Sequence, residues 1–193
     1  MTSMMPRTTD LIGFLASKGI SLSSHNSAVP LLPVEVFLRP IGLDDSARYQ
    51  AFLNGLSPGT RYFRFGNHSR LPTQAEIQAL CRQDSNHVAH FIALVHQDGL
   101  DVQVDSAYYE CMDDGDSCEL VLLVADAWQR RRVAHRLLKR LVRNAEQGGL
   151  KRMFAQVLAT NLPMQRFVRR HGFEEVAGSD HQGVKTWCLT IGS

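Results

Sequence analysis

The strongest periodic signal in the chain runs through Val133, Leu137, Leu138, Leu141, Val142 and Ala145. Their spacing predicts an amphipathic helix from about Arg130 to Gln147, ended by Gly148 and Gly149. Arg131, Arg132, Lys139, Arg140 and Arg143 fall mostly off its apolar face. Upstream, His90–His96 holds the run Phe91, Ile92, Ala93, Leu94, Val95, as expected of a strand buried on both faces. Val104–Met112 and Ser117–Ala125 read as two more strands. Asp113, Asp114, Gly115 and Asp116 between them predict an antiparallel hairpin.

The remaining pattern supplies the frame. Val36–Leu38 reads as a strand that stops at Pro40. Asp44 or Asp45 can cap a helix through Leu56, with Ala47, Ala51 and Phe52 on one side. Leu56–Thr60, with its Ser-Pro-Gly core, breaks that helix, and the aromatic–basic stretch Arg61–Phe65 follows. Thr73 and Glu76 fit a capping box for a helix carrying Ile77, Leu80 and Cys81. Beyond the long helix come a strand at Met153–Ala159, a short helix at Leu162–His171, and strands at Phe173–Ala177 and Val184–Ile191. Hairpins mixed with crossover helices predict an α+β sheet of mixed direction. Residues 35–193 form this domain. Residues 1–34, with a short helix from Thr9 to Gly19, a polar linker, Pro30 and Pro33, read as a partly helical or flexible extension.

Composition narrows the function classes. The 193 residues are 44% hydrophobic and 21% charged, with a formal charge of +2. That profile suits one globular domain and argues against a nucleic-acid partner for the arginine-rich helix. No run is long enough to span a membrane, and Asp10 and Lys18 bracket the short apolar stretch Leu11–Ala16, so a cytoplasmic location is expected. Cys81, Cys111, Cys118 and Cys188 form no C-x-x-C pair, and the histidines show no metal-ligand spacing, so no metal is expected. Cys111 and Cys118 flank the hairpin turn and could face each other, but free thiols are the simpler reading.

The chemistry concentrates in Leu120–Leu138. A buried strand runs through a short loop straight into the long helix. That geometry aims unpaired helix-start amides and the positive dipole end at one spot, which suits a pyrophosphate. The same pattern also describes an ordinary strand–loop–helix joint.

The segment resembles the coenzyme A-binding motif of the GNAT superfamily, Q/R-x-x-G-x-G/A. Gln129 and Ala134 match, and Trp128 is usual in the family. Arg132 replaces the middle glycine, and Arg130 stands where another glycine is common. Read as helical positions, these arginines carry no backbone penalty and could add charge-assisted bonds to phosphates. A second region, Asn161–Phe173, is similar to the family's N-x-x-A-x-x-x-Y-x-K-x-G-F motif through Asn161, Gly172 and Phe173. Val168 stands where many members carry a tyrosine that protonates the leaving thiolate.

Leu38–Pro40, Leu56–Pro58, Arg61, Tyr62, Arg64, Phe65 and Glu119 resemble a bacterial branch, the acetyltransferase domains of protein lysine acetyltransferases. The resemblance covers about residues 35–178. It implies a mostly antiparallel sheet of six to seven strands with about four helices. It implies transfer of acetyl from acetyl-CoA to a primary amine, either a protein lysine or a small molecule, with Glu119 as general base. The implied coenzyme contacts are Leu123, Val124, Gln129, Arg130, Arg131, Arg132, Val133, Ala134 and Asn161. The family often splays its fourth strand from its fifth and often forms homodimers. The changes at Arg132 and Val168 motivate an alternative, a catalytically weak acyl-CoA-binding regulatory module.

Overall fold

A computed structural model describes residues 35–66, 70–82, 87–180 and 182–192. The extension expected at 1–34 lies outside the described residues. Seven strands form one sheet in the order β1-β2-β3-β4-β5-β7-β6. They are β1 (Val36–Pro40), β2 (Val88–Gln97), β3 (Leu100–Cys111), β4 (Ser117–Val124), β5 (Arg152–Leu158), β6 (Glu174–Glu175) and β7 (Val184–Thr190). Every neighbouring pair is antiparallel except β4–β5. The crossover between those two is the long helix, as parallel pairing requires.

The helices are α1 (Ser46–Asn54), α2 (Pro58–Phe65), α3 (Gln74–Arg82), α4 (Val133–Gln147) and α5 (Leu162–Arg170). Among the described residues, one more helix is present than expected. Leu56–Thr60 does break α1, but it also starts α2. Ser57 caps the new helix by accepting a 3.2 Å bond from the Thr60 amide, and Pro58 takes the first turn. In α1 the buried side chains are Tyr49, Phe52 and Leu53, whereas Ala47 and Ala51 face solvent. The larger apolar residues claim the inward face. The capping box of α3 is present, with Glu76 N–H donating to Thr73 Oγ1 (3.3 Å) and Thr73 N–H to Glu76 Oε2 (2.6 Å).

Two apolar layers sandwich the sheet. On one face α4 buries Val133, Leu137, Leu138, Leu141 and Ala145 against Ala93, Ala107, Leu120 and Met153. On the other, α1 and α3 bury Phe52, Leu53, Ile77 and Cys81 against Ile92, Leu94 and Leu123. Strand alternation assigns Cys118 and Leu120 to the first face and Glu119, Val121 and Leu123 to the second. Cys111 and Cys118 do face each other in the β3–β4 ladder, as free thiols.

Two irregularities shape the middle of the sheet. Ala93 pairs with Asp105 and Leu94 with Gln103, so Val104 is an extra residue bulged out of β3. The β4–β5 pairing stops after three residue pairs, the last being Glu119–Phe154. β4 stays in register with β3 as far as Val124, and β5 with β7 as far as Leu158. The two strands therefore diverge beyond Glu119, leaving a wedge open toward the start of α4.

Candidate active site

The wedge has a free strand edge on one side. In β4, alternate backbone groups bond to β3, so the others along Leu120–Val124 point into the opening. The Leu123 side chain is buried in the α1–α3 layer, so only its backbone is available there. From Val124 to Glu119 the edge runs about 17 Å. An extended, amide-bearing chain can pair along such an edge as an added strand would.

At the wide end of the wedge, β4 passes through a short turn at Asp126–Trp128 into α4. The helix begins at Val133, three residues later than its periodicity suggested. Arg130 and Arg132 do not occupy helical backbone positions. Both are left-handed, at φ 61° and 64°. The arginines keep the conformation that glycine adopts freely, at a cost of about 1–2 kcal/mol each. Both positions thus carry a backbone penalty that helical positions would not.

Arg132 is the N-cap of α4, yet no side chain caps the helix. The first i→i−4 bond joins Arg136 N–H to the Arg132 carbonyl at 3.3 Å. Val133, Ala134 and His135 therefore precede the hydrogen-bond ladder, and their amides have no intrahelical acceptor. Val133 itself is buried, so it offers only its backbone. Arg130, Arg131 and Arg132 are exposed, and none forms an ion pair among the described residues. Arg131 lies over the Trp128 ring at 5.0 Å. Free amides, a helix dipole and unpaired guanidinium groups at one spot fit a diphosphate.

Asn161 ends the β5 side of the wedge. Its Oδ1 accepts the Met164 amide at 3.2 Å, capping α5 and leaving the Nδ2 donors for other use. Val168 is fully buried in the α4 layer, so it supports packing and offers no proton. Gly172 is held at φ 86°, and a Cβ there would meet Leu189 at 3.4 Å. This explains the glycine of the second motif.

Glu119 stands at the closed end, in the last residue pair before the strands diverge. It is half-buried, on the α1–α3 face, directly across the ladder from Glu110. Facing carboxylates in a cross-strand pair have Cβ atoms about 5 Å apart and repel. Glu110 also lines a cleft of ≈ 620 Å³ with Arg64, Phe65, Leu80 and Tyr108. Arg64 Nη2 donates to the Tyr108 hydroxyl at 2.8 Å. Burial pushes the Tyr108 hydroxyl up. Arg64 opposes this, while the carboxylates of Glu110 and Glu119 add to it. Arg64, Tyr108 and Glu110 thus share one cleft, and Glu110 is the cross-strand neighbour of Glu119.

Four features have no local mark in the sequence. The Asp126 carboxylate accepts from the Ser57 amide (2.9 Å), the Ser57 hydroxyl (2.7 Å) and the Thr60 hydroxyl (2.7 Å). Burial would raise its pKa, but these bonds hold it below the ordinary 3.8. Gln129 Nε2 donates to Thr60 Oγ1 at 3.3 Å. His171 Nδ1 is 2.8 Å from the Phe167 carbonyl, which can only accept, so the neutral ring donates there and its Nε2 accepts from His135 Nδ1–H at 2.7 Å. That pair ties the first turn of α4 to the end of α5. Asp105 is fully buried, paired with Val124 in the ladder, and burial raises its carboxyl well above 3.8.

Comparisons with known proteins bear on the family and the fold. The model of the Acetyltransferase (GNAT) family matches residues 59–173. The acetyltransferase PA5475 of Pseudomonas aeruginosa is 32% identical over 139 residues, covering 72% of this chain and 74% of that protein. The GNAT domain of S. lividans PAT superposes with a TM-score of 0.70 at 24% identity, covering 80% of this chain and 89% of that one. A PaiA N-acetyltransferase from Thermoplasma acidophilum, solved in complex with coenzyme A, superposes at 0.66 with 11% identity, covering 81% and 99%.

Proposed function

Because the chain belongs to the GNAT acetyltransferase family, we propose that it transfers acetyl from acetyl-CoA to a primary amine, with Glu119 as the base. The carrying observation is the position of Glu119 at the closed end of a wedge whose open end is a helix start with free amides. The diphosphate sits at Val133, Ala134 and His135, helped by Arg130, Arg131 and Arg132. The pantetheine arm follows the free edge of β4 past Val124 and Leu123, with Asn161 on the opposite side. This carries the thioester toward Glu119.

The acceptor amine approaches over Glu110, from the cleft beside Tyr108. An alkylammonium group has a pKa near 10.4, and only its free-base form attacks a thioester. Glu119 accepts that proton, directly or through one water. The nitrogen bonds to the carbonyl carbon, the C–S bond breaks, and β4 amides stabilise the charge on the carbonyl oxygen. With Val168 buried, sulfur leaves as thiolate, which a thiol pKa near 8.5 permits. The acceptor is a small amine or a protein lysine. A cytoplasmic location suits four free cysteines.

Glu119→Gln tests the assignment. It lowers kcat by about 10²–10⁴-fold with coenzyme affinity retained. Unchanged turnover removes Glu119 from the mechanism. If the wild-type protein binds coenzyme yet acetylates nothing in a panel of amines and lysine peptides, it is an acyl-CoA-binding regulator instead.

A further inference from the structure

α2 is attached to the domain in an unusual way. It has eight residues, and none of them is fully buried. Tyr62 and Phe63 are each 40% exposed, and Phe65 is only partly covered by the α1–α3 layer. A helix of this length has no stability of its own in water. Polar bonds do most of the holding. Arg61 Nη2 donates to the Asn54 carbonyl (2.6 Å), and Arg64 Nη2 to the Tyr108 hydroxyl (2.8 Å). The N-terminal end is held by three bonds to Asp126 and one from Gln129.

The two ends of α2 face different halves of the site. Its C-terminal residues Arg64 and Phe65 line the cleft that reaches Glu110. Its N-terminal anchor, Asp126, belongs to the turn leading from β4 into the free amides of α4. Few buried apolar contacts and an attachment through hydrogen bonds mark α2 as an element of low local stability. Its position depends on a turn that a bound diphosphate would order.

We propose that Asp126 is a positioning residue: through Ser57 and Thr60 it couples the coenzyme-binding turn to α2, so that coenzyme binding fixes the wall of the acceptor cleft. This rests on reading the turn as the coenzyme site. Asp126 touches no reacting atom in this scheme. Its carboxylate supplies acceptors for three donors at once, which an amide side chain with one oxygen cannot match.

Hydrogen–deuterium exchange of the full-length protein, with and without saturating coenzyme A, tests the coupling. In the wild type, coenzyme A slows exchange of the amides at 58–65 about tenfold. In Asp126→Asn, calorimetric coenzyme affinity stays within about threefold, because the α4 amides are intact, but the slowing of α2 disappears. A double variant, Ser57→Ala with Thr60→Val, removes the two hydroxyl bonds from the other side, together with the Ser57 cap and the Gln129 bond, leaves the Ser57 amide bond to Asp126, and reduces the slowing of α2. A purely structural role for Asp126 would speed α2 exchange equally with and without coenzyme. Coenzyme A that binds the wild type without slowing α2, or that slows it equally in the variants, overturns the coupling alone. Absence of coenzyme binding to the wild type overturns the coupling together with the functional reading.

Discussion

Two strand-to-helix joints flank the wedge, and they are finished in opposite ways. At β5–α5, Asn161 caps its helix with its own side chain, Pro163 occupies the first turn, and the backbone is unstrained. At β4–α4, the cap is an arginine in the left-handed region, with no capping side chain and three amides ahead of the ladder. The first joint is complete without a ligand. The second carries strain and unmet donors at one point, on the longer and better buried helix. Strain and unsatisfied donors persist where something else benefits from them. The contrast supports the proposal that the β4–α4 turn is the anion site, with Asn161 closing the far side.

Reversing the charge at the uncapped joint should have the largest effect. Arg132→Asp removes a cation and puts an anion beside the free amides, so coenzyme A affinity measured by calorimetry falls about a hundredfold. Asn161→Asp, the matching change at the capped joint, leaves affinity within about fivefold and keeps the cap.

The next effect concerns what lies under the uncapped joint. Asp105 is buried on the α4 face beside Val124, with its carboxyl raised by burial. A group whose folded pKa is raised stabilises the fold fully below its unfolded pKa and loses that contribution as pH rises through the folded value. Asp105→Asn therefore matches the wild type in stability at acidic pH and exceeds it at neutral pH. Urea denaturation at several pH values reads this difference. Parallel curves for the two proteins would mean that Asp105 does not titrate as a buried acid.

The smallest effect is at the capped joint. Asn161→Ala costs about 1 kcal/mol, or about 3 °C in Tm, through loss of the Met164 bond. Arg132→Ala costs nothing through capping, because that residue caps nothing with its side chain. A larger loss at Arg132 than at Asn161 would undo the distinction between the joints.

Much of this architecture was legible in the residues. Val133, Leu137, Leu138, Leu141 and Ala145 defined the buried face of α4 because helix period and burial coincide there. The β3–β4 hairpin was readable from its Asp-Gly turn, where Asp114 Oδ1 accepts the amides of Asp116 and Ser117. That turn sets the register that places Glu119 across from Glu110. Other features depended on tertiary context. α2 was hidden because Ser57 and Pro58 both end one helix and begin the next. The left-handed backbone at Arg130 and Arg132 runs against arginine's ordinary preference for a helix interior. The bulge at Val104 has no glycine or other local mark. The Asp126 anchor joins residues 69 and 66 positions apart, beyond the reach of any local pattern.

Backbone amide NMR with coenzyme A as titrant tests the uncapped joint most directly. The amide protons of Val133, Ala134 and His135 should shift downfield and become protected from exchange as the coenzyme saturates, while the Met164 amide, already bonded to Asn161, stays put. Coenzyme that binds while those three amides remain unmoved would contradict the account at its centre.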